Sequence, residues 1–149
     1  MITTITGFSL AFYYYQSFAQ ADAQQRDAFR AINDLTDKLQ DVAYTPRILV
    51  KYSNGTADWY NQTHIPIGWS LFNATLKITD GDVEYQQYPF GVFITAINGV
   101  AQETTTFWLW YLWNATANRW VFGPVGADAY RVRSGDILAW YLTDGSTTP

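Results

Sequence analysis

The apolar residues of the chain follow one period before Pro46 and another after it. Up to Val42 they recur alternately every three and every four residues, which is the a/d pattern of an amphipathic helix. These positions are Ala11, Tyr14, Phe18, Ala21, Gln25, Ala28, Ile32, Leu35, Leu39 and Val42, with Gln25 as the one polar residue. The pattern predicts one long helix, which ends before Pro46 because proline cannot continue it.

The start of this helix carries no charge, since the first charged residue is Asp22. A helix over residues 1–21 would be about 30 Å long, near the thickness of the hydrocarbon core of a bilayer. Threonine, serine and glutamine make it less apolar than a typical span, and no Lys or Arg precedes it. Either Met1 is not the natural start, or the segment is not an ordinary signal or anchor.

The heptad pattern allows two interpretations, because it does not identify the partner of the helix. One is a stalk or coiled coil that holds a head away from a membrane. The other is a helix that polymerises by packing against copies of itself. The residues expected to pack in such a polymer are Ile2, Ile5, Phe8, Phe12, Tyr15, Phe18, Ile32, Leu35 and Leu39.

After Pro46 the chain consists of short runs rich in β-branched and aromatic residues, separated by Gly, Asn and Asp. These runs predict one helix within residues 68–78 and several strands. The predicted strands are 47–53, 83–87, 91–97, 107–113, 119–122 and 137–142.

The strand over residues 107–113 is the most aromatic. Successive side chains of a strand point to opposite faces, and here both faces are apolar. Such a strand is either central and covered on both sides, or keeps one face for a partner. The residues predicted to form a ligand or contact surface are Trp108, Trp110, Tyr111 and Trp113.

Composition excludes several classes of function. The 149 residues include no cysteine and one histidine, His64, so Cys/His zinc sites, cysteine nucleophiles and disulfides are absent. A net charge of −4 with scattered basic residues argues against nucleic acid as a partner. Asp80, Asp82 and Glu84 could offer oxygens to Ca²⁺, but the rest of a calcium loop is missing and a hydrated turn is favoured. We expect no enzyme activity, metal or cofactor.

Four sequons of the N-glycosylation pattern lie after the predicted helix, at Asn54, Asn61, Asn73 and Asn114. Random placement of the same Asn, Ser and Thr residues predicts about one such match. Asn and Thr are also common turn residues, which is the competing explanation. The excess predicts an extracellular, cell-surface glycoprotein, and an archaeal surface fits sequons without disulfides.

Four segments carry a resemblance to a known family: residues 70–76, 91–99, 107–114 and 130–141. In their order and turns they resemble a β-grasp family related to the C-terminal domain of transcobalamin and intrinsic factor, over residues of about 48–142. The resemblance implies a β-grasp-like head. In those vitamin carriers this domain closes over a corrinoid held against a large helical barrel. No such barrel is visible here, so no ligand residue is carried over.

The N-terminal half resembles, more weakly, a processed type IV pilin. In such pilins one continuous helix has an uncharged first half and an amphipathic second half, and it is followed by a β-rich head. Pilins lose a basic leader, which would explain why no Lys or Arg precedes the helix. Ile5 stands where many bacterial pilins have an acidic residue, which archaeal versions often lack.

The predicted fold class is α+β, with a long N-terminal helix over residues 1–45 and a β-rich, β-grasp-like head over residues 46–149. The predicted function is structural: a subunit of an extracellular pilus-like filament, a helical polymer of copies of itself. The alternative is a membrane-anchored extracellular module that captures a small ligand or glycan through the aromatic strand. Partner predictions are therefore the chain itself, glycans, and a membrane through the helix.

Overall fold

The fold is described from a computed structural model, which covers residues 20–21, 23–28, 30–31, 34–35, 38 and 41–149. The chain divides into two units, Met1–Asp41 and Val42–Pro149. In the first unit every described residue is helical. Lys38 Nζ donates to Asp34 Oδ2 at 2.7 Å, an exposed pair four residues apart that stabilises a helix by about 0.3–0.5 kcal/mol.

The second unit, residues 42–149, contains ten strands and one helix. In chain order they are β1 Ala43–Tyr44, β2 Arg47–Lys51, β3 Ala57–Tyr60, β4 Ile65–Pro66, α1 Leu71–Ile78, β5 Val83–Tyr88, β6 Gly91–Ile97, β7 Val100–Ala101, β8 Phe107–Asn114, β9 Arg119–Phe122 and β10 Ile137–Thr143. They form a two-stranded sheet β1-β4, a five-stranded sheet β3-β2-β10-β8-β9 and a three-stranded sheet β5-β6-β7.

The predicted fold class is wrong. The described residues are mostly β, with helical turns between residues 20 and 42 and the short helix α1, and no long N-terminal helix is shown. A heptad pattern makes a stable long helix only when its apolar seam is buried. Leu35, the one residue predicted to pack in the polymer that is described, has 59% of its surface exposed.

The strands of the second unit were better predicted than the fold class. The helix and six strands, β2, β5, β6, β8, β9 and β10, end within about three residues of their predicted limits. The strand β3 was missed because it is four residues long and largely exposed, so it lacks an apolar signature. It pairs with β2 as a hairpin around Gly55.

The five-stranded sheet has its last strand at its centre. β10 pairs in parallel with β2, with Ile137 opposite Arg47, and antiparallel with β8, with Trp140 opposite Trp110. A parallel pair needs a long crossover connection, and here the chain between β2 and β10 contains α1 and the three-stranded sheet.

The main core lies on one side of this sheet, which we call the inner face. Its strands contribute Ile48, Val50, Trp108, Trp110, Leu138, Trp140 and Leu142. Against them pack Leu71, Ala74 and Ile78 of α1, and Ile94 and Ile97 of β6. The helix and the three-stranded sheet thus cover the same face of the large sheet.

Helix α1 begins at Ser70, whose hydroxyl accepts a hydrogen bond from the backbone N–H of Asn73 at 3.1 Å. One turn later Thr75, which is fully buried, donates its hydroxyl to the Leu71 carbonyl at 2.7 Å. The same hydroxyl oxygen accepts a bond from Trp140 Nε1 at 2.8 Å. This buried bond joins the helix to the central strand.

We expect Thr75→Val to destabilise the protein by about 1–3 kcal/mol, because it leaves the buried indole N–H of Trp140 without an acceptor while nearly keeping the volume. Urea denaturation followed by tryptophan fluorescence measures the change. Thr75→Ser keeps the hydroxyl and is the control, with a smaller loss. A Thr75→Val protein as stable as the Thr75→Ser protein would contradict the role of this bond.

Tyr130 makes the stability of the second unit depend on pH in the alkaline range. Burial and a hydrogen bond from its hydroxyl to Asp136 Oδ2 at 2.9 Å raise the pKa of Tyr130 to about 12. The folded protein therefore holds this proton more tightly than the unfolded chain. The resulting stability is present below about pH 10 and is lost as the pH rises to about 12.

We expect Tyr130→Phe to remove this pH-dependent contribution to stability. The free energy of unfolding of the variant should therefore fall less steeply between pH 10 and 12 than that of the wild type. Urea titrations at several pH values in this range compare the two proteins. Both proteins contain the other tyrosines, so their contributions cancel when the two free energies of unfolding are subtracted. Parallel pH profiles would show that Asp136 does not hold the Tyr130 proton.

Candidate functional site

A cleft of about 340 Å³ lies beside the aromatic strand β8, between the two larger sheets, and we call it the interlayer cleft. Residues 90–94 of the three-stranded sheet form one wall, and Trp108, Trp110 and Trp140 of the inner face form the other. The loop 122–127 closes one side. This volume is at the lower end of the range of small-molecule sites.

The walls of the interlayer cleft are mainly apolar, and the indole N–H groups of its three tryptophans are already bonded. Trp108 Nε1 donates to the Val100 carbonyl at 2.9 Å, and Trp110 Nε1 donates to the Val125 carbonyl at 2.9 Å. Trp140 Nε1 is bonded to Thr75. All three indole N–H groups are therefore used within the protein. The rings are only 2%, 6% and 3% exposed, and what they present to the cleft is carbon surface.

Two glycines shape the cleft. A Cβ at Gly123 would lie 2.0 Å from Trp110 Cε2, so only glycine allows this loop to lie against the indole. Gly91 has φ +138°, and a Cβ there would lie 2.8 Å from Asp128 Oδ1. The same Asp128 oxygen accepts the backbone N–H of Val92 at 3.2 Å, which ties the wall to the loop.

Exposed apolar side chains stand at the mouth of the cleft. Phe90, at the turn between β5 and β6, has 80% of its surface exposed and stacks on Tyr88 with ring centroids 5.1 Å apart. Val125, on the loop that lines the cleft, is 47% exposed. A guest in the cleft would bury both.

The strand β8 contributes to two different surfaces. Trp108 and Trp110 point to the inner face and line the interlayer cleft. Tyr111 and Trp113 point to the opposite, outer face of the sheet, where Tyr111 is buried and Trp113 is half-buried. The predicted contact surface is therefore divided by the sheet, and β8 is covered by its own fold on the inner side.

All four sequon asparagines are exposed, but their surroundings differ. Asn54 lies in the turn after β2, Asn61 follows β3, and Asn114 ends β8. Asn73 instead lies within α1, and the hydroxyl of its sequon residue Thr75 is buried and bonded on both sides.

The acidic motif and the histidine lie apart from the cleft. Asp80 and Asp82 are exposed in the turn after α1, and Glu84 is exposed on β5. The His64 carbonyl accepts a bond from Lys77 Nζ at 2.7 Å. Among the described residues no group of three or more His, Cys, Asp or Glu side chains could hold a metal ion.

The residues of the predicted assembly helix lie mostly outside the described residues: Ile2, Ile5, Phe8, Phe12, Tyr15, Phe18, Ile32 and Leu39. For the part of the chain that is described, no helix has the length and apolar character needed to cross a membrane.

Sequence reasoning missed the interlayer cleft. On its loop side, Gly123 to Ala127, the sequence indicates only the turn residues Gly123 and Pro124. The local signal was the pair of glycines around Pro124 and Val125 next to an aromatic strand, a pattern that indicates close approach of backbone to large rings.

Solved structures with a fold similar to that of this chain include the following two. One is the "putative metal binding protein" from Ruminococcus gnavus ATCC 29149, with 16% identity, a TM-score of 0.52, and coverage of 68% of this chain and 98% of that chain. The other is haptocorrin in complex with Cbi, with 18% identity, a TM-score of 0.51, and coverage of 68% of this chain and 25% of that chain. None of the curated proteins matches the sequence.

The haptocorrin likeness confirms the predicted relation to the transcobalamin fold, at the level of fold alone. Nothing supports the pilin-like helix. Residues 68–144, which include α1, the three-stranded sheet, β8, β9 and β10, match the family described as "Domain of unknown function (DUF4430)". The match spans more than half of the chain, so the protein belongs to this family.

Proposed function

We propose that the second unit is a binding domain that holds an uncharged, apolar group of a small ligand in the interlayer cleft. The observation that carries the proposal is a cleft of about 340 Å³ whose three tryptophans have no free hydrogen-bonding group. A polar guest would lose its bonds to water and gain none from these rings, whereas an apolar guest loses nothing.

The energetic gain comes from surface that is now in contact with water. Burial of apolar area contributes about 25 cal/mol per Å², and a site already formed in the free protein avoids the cost of ordering its side chains. Phe90 and Val125 are both exposed at the mouth and would be covered by the guest.

The fold relatives agree with a binding function in general terms. Both are named for what they bind, a metal in one case and Cbi in the other, and neither is named for a reaction. We take from them the class of function and not the ligand, because the identities are 16% and 18%. We also propose that the protein is not an enzyme.

The pilus-like filament stays a prediction, because the residues that would assemble it lie largely outside the described part of the chain. An extracellular location is likewise a proposal, supported by the exposure of the four sequon asparagines. Binding and an extracellular location are compatible, since a surface domain meets ligands directly.

The binding proposal is tested with 1-N-phenylnaphthylamine, an uncharged aromatic probe whose fluorescence rises in apolar sites. We expect saturable binding to the full chain, and at least tenfold weaker binding to Val125→Asp, because the new carboxylate would be desolvated by the bound probe. Phe90→Ala should weaken binding to a lesser degree.

Val42→Asp is the matched control for the cleft, since Val42 is 56% exposed and does not line it. It should bind the probe as the wild type does. Absence of saturable binding to the wild type, or an equal loss in both aspartate variants, would refute a binding site in the cleft.

The extracellular proposal leads to a prediction about the sequons. When the purified folded protein is offered to an oligosaccharyltransferase with its glycan donor, we expect modification at Asn54, Asn61 and Asn114. Asn73 should stay unmodified, because Thr75 is locked in the core. Mass spectrometry of tryptic peptides gives the occupancy of each site.

A peptide of residues 68–80 is the control, because it contains the Asn73 sequon without the fold and should be accepted. A glycan on Asn73 of the folded protein would show that α1 opens readily enough to release Thr75.

A further inference from the structure

The side of the five-stranded sheet away from the core carries an unusual set of side chains, and we call it the outer face. Strand register places on it the following residues: Arg47, Leu49, Lys51, Trp59, Phe107, Leu109, Tyr111, Trp113, Trp120, Phe122, Ile137, Ala139 and Tyr141. Four of the five strands contribute an aromatic ring.

The centre of the outer face is already closed. Leu49, Tyr111 and Ala139 are 6%, 4% and 0% exposed, because larger side chains on neighbouring strands cover them. The accessible surface lies on the surrounding rings: Phe122 is 58%, Trp59 45% and Phe107 38% exposed. The face thus lacks the open apolar centre that a protein partner normally buries.

Among the strand residues of the outer face, every charge is positive. Arg47 and Lys51 lie on the same strand, and four residues of strand separate them by about 13 Å. Neither makes a salt bridge to a described residue; instead Arg47 Cζ lies 5.4 Å from the Trp59 ring centre and Lys51 Nζ lies 4.7 Å from that of Tyr141. No carboxylate belongs to the strand residues of this face, although the whole chain has a net charge of −4.

We propose that the outer face binds an acidic polysaccharide of the polyuronate type. Sugar rings would lie against the exposed faces of Trp59 and the other aromatic rings, and carboxylates of successive sugars would pair with Arg47 and Lys51. The rings already hold both cations in place, so little side-chain freedom is lost on binding.

A polymer fits this arrangement better than a small anion. An exposed ion pair contributes only about 0–1 kcal/mol, so one carboxylate on one cation would bind weakly. A chain that repeats its carboxylate reaches both cations at once, and the second contact then forms at a high effective concentration. A second copy of the same face is disfavoured, because it would bring cations against cations.

The test is affinity electrophoresis of the full chain in gels that contain polygalacturonate, alginate or hyaluronate. We expect retardation by at least one of these polymers, weaker at high salt, and none by the methyl-esterified form of polygalacturonate, which has the same backbone without the charge. Arg47→Gln/Lys51→Gln should weaken binding at least tenfold, and Trp59→Ala should weaken it severalfold.

The matched control is Arg119→Gln/Arg131→Gln, which removes the same charge away from the outer face and should bind as the wild type does. Val125→Asp, which alters the interlayer cleft, should also bind the polysaccharide as the wild type does. The experiment therefore tests the outer face independently of the proposed ligand site in the cleft. Loss of binding equally in both double variants would show a general charge effect and overturn the proposal.

Other outcomes would also overturn it. One is retardation by none of the three polymers. Another is binding to vesicles that contain phosphatidylglycerol but to no polyuronate, which would make the partner a membrane. A third is a concentration-dependent dimer, seen by sedimentation and abolished by Trp59→Ala, which would make the partner a second copy.

Discussion

The second unit depends on one buried hydrogen bond, from the indole N–H of Trp140 to the hydroxyl of Thr75. Trp140 is on the central strand of the large sheet, and Thr75 is in the middle of the only helix within residues 42–149. A buried indole without an acceptor is costly, so the bond fixes both the rotation of α1 and its distance from the sheet. The three-stranded sheet follows α1 in the chain and packs beside it on the same face.

The interlayer cleft follows from this placement. The helix covers one part of the inner face and the three-stranded sheet covers another, and the loop at Gly123 lies directly on Trp110. The space between them is bounded by rings whose polar atoms are bonded elsewhere. The two sides of the five-stranded sheet therefore differ in chemistry. The interlayer cleft, on the inner side, presents carbon surface, whereas the outer face presents cations beside aromatic rings.

The sequence predicted local elements well and their arrangement poorly. Period and turn residues were enough to place α1 within three residues and β10 within one, because Ser70 caps the helix and β10 is a run of apolar and aromatic residues that follows the turn residues Gly135 and Asp136. The fold class was wrong because the heptad pattern around Leu35 indicates a helix without indicating what buries it. The cleft was not predictable, because Gly123, Phe90 and Trp140 meet only through tertiary packing.

The position of β10 also determines when the domain can fold during synthesis. It follows all the other described strands in the chain, yet it lies between β2 and β8, and its pairing with β2 joins residues as far apart as Arg47 and Ile137. Contacts of such long range form slowly. Until β10 has left the ribosome, β2 and β8 each have an unpaired edge, and the tryptophans of β8 lack their central neighbour strand. The nascent chain thus carries the apolar residues of β2 and β8 uncovered until β10 has been made, which favours shielding by a chaperone.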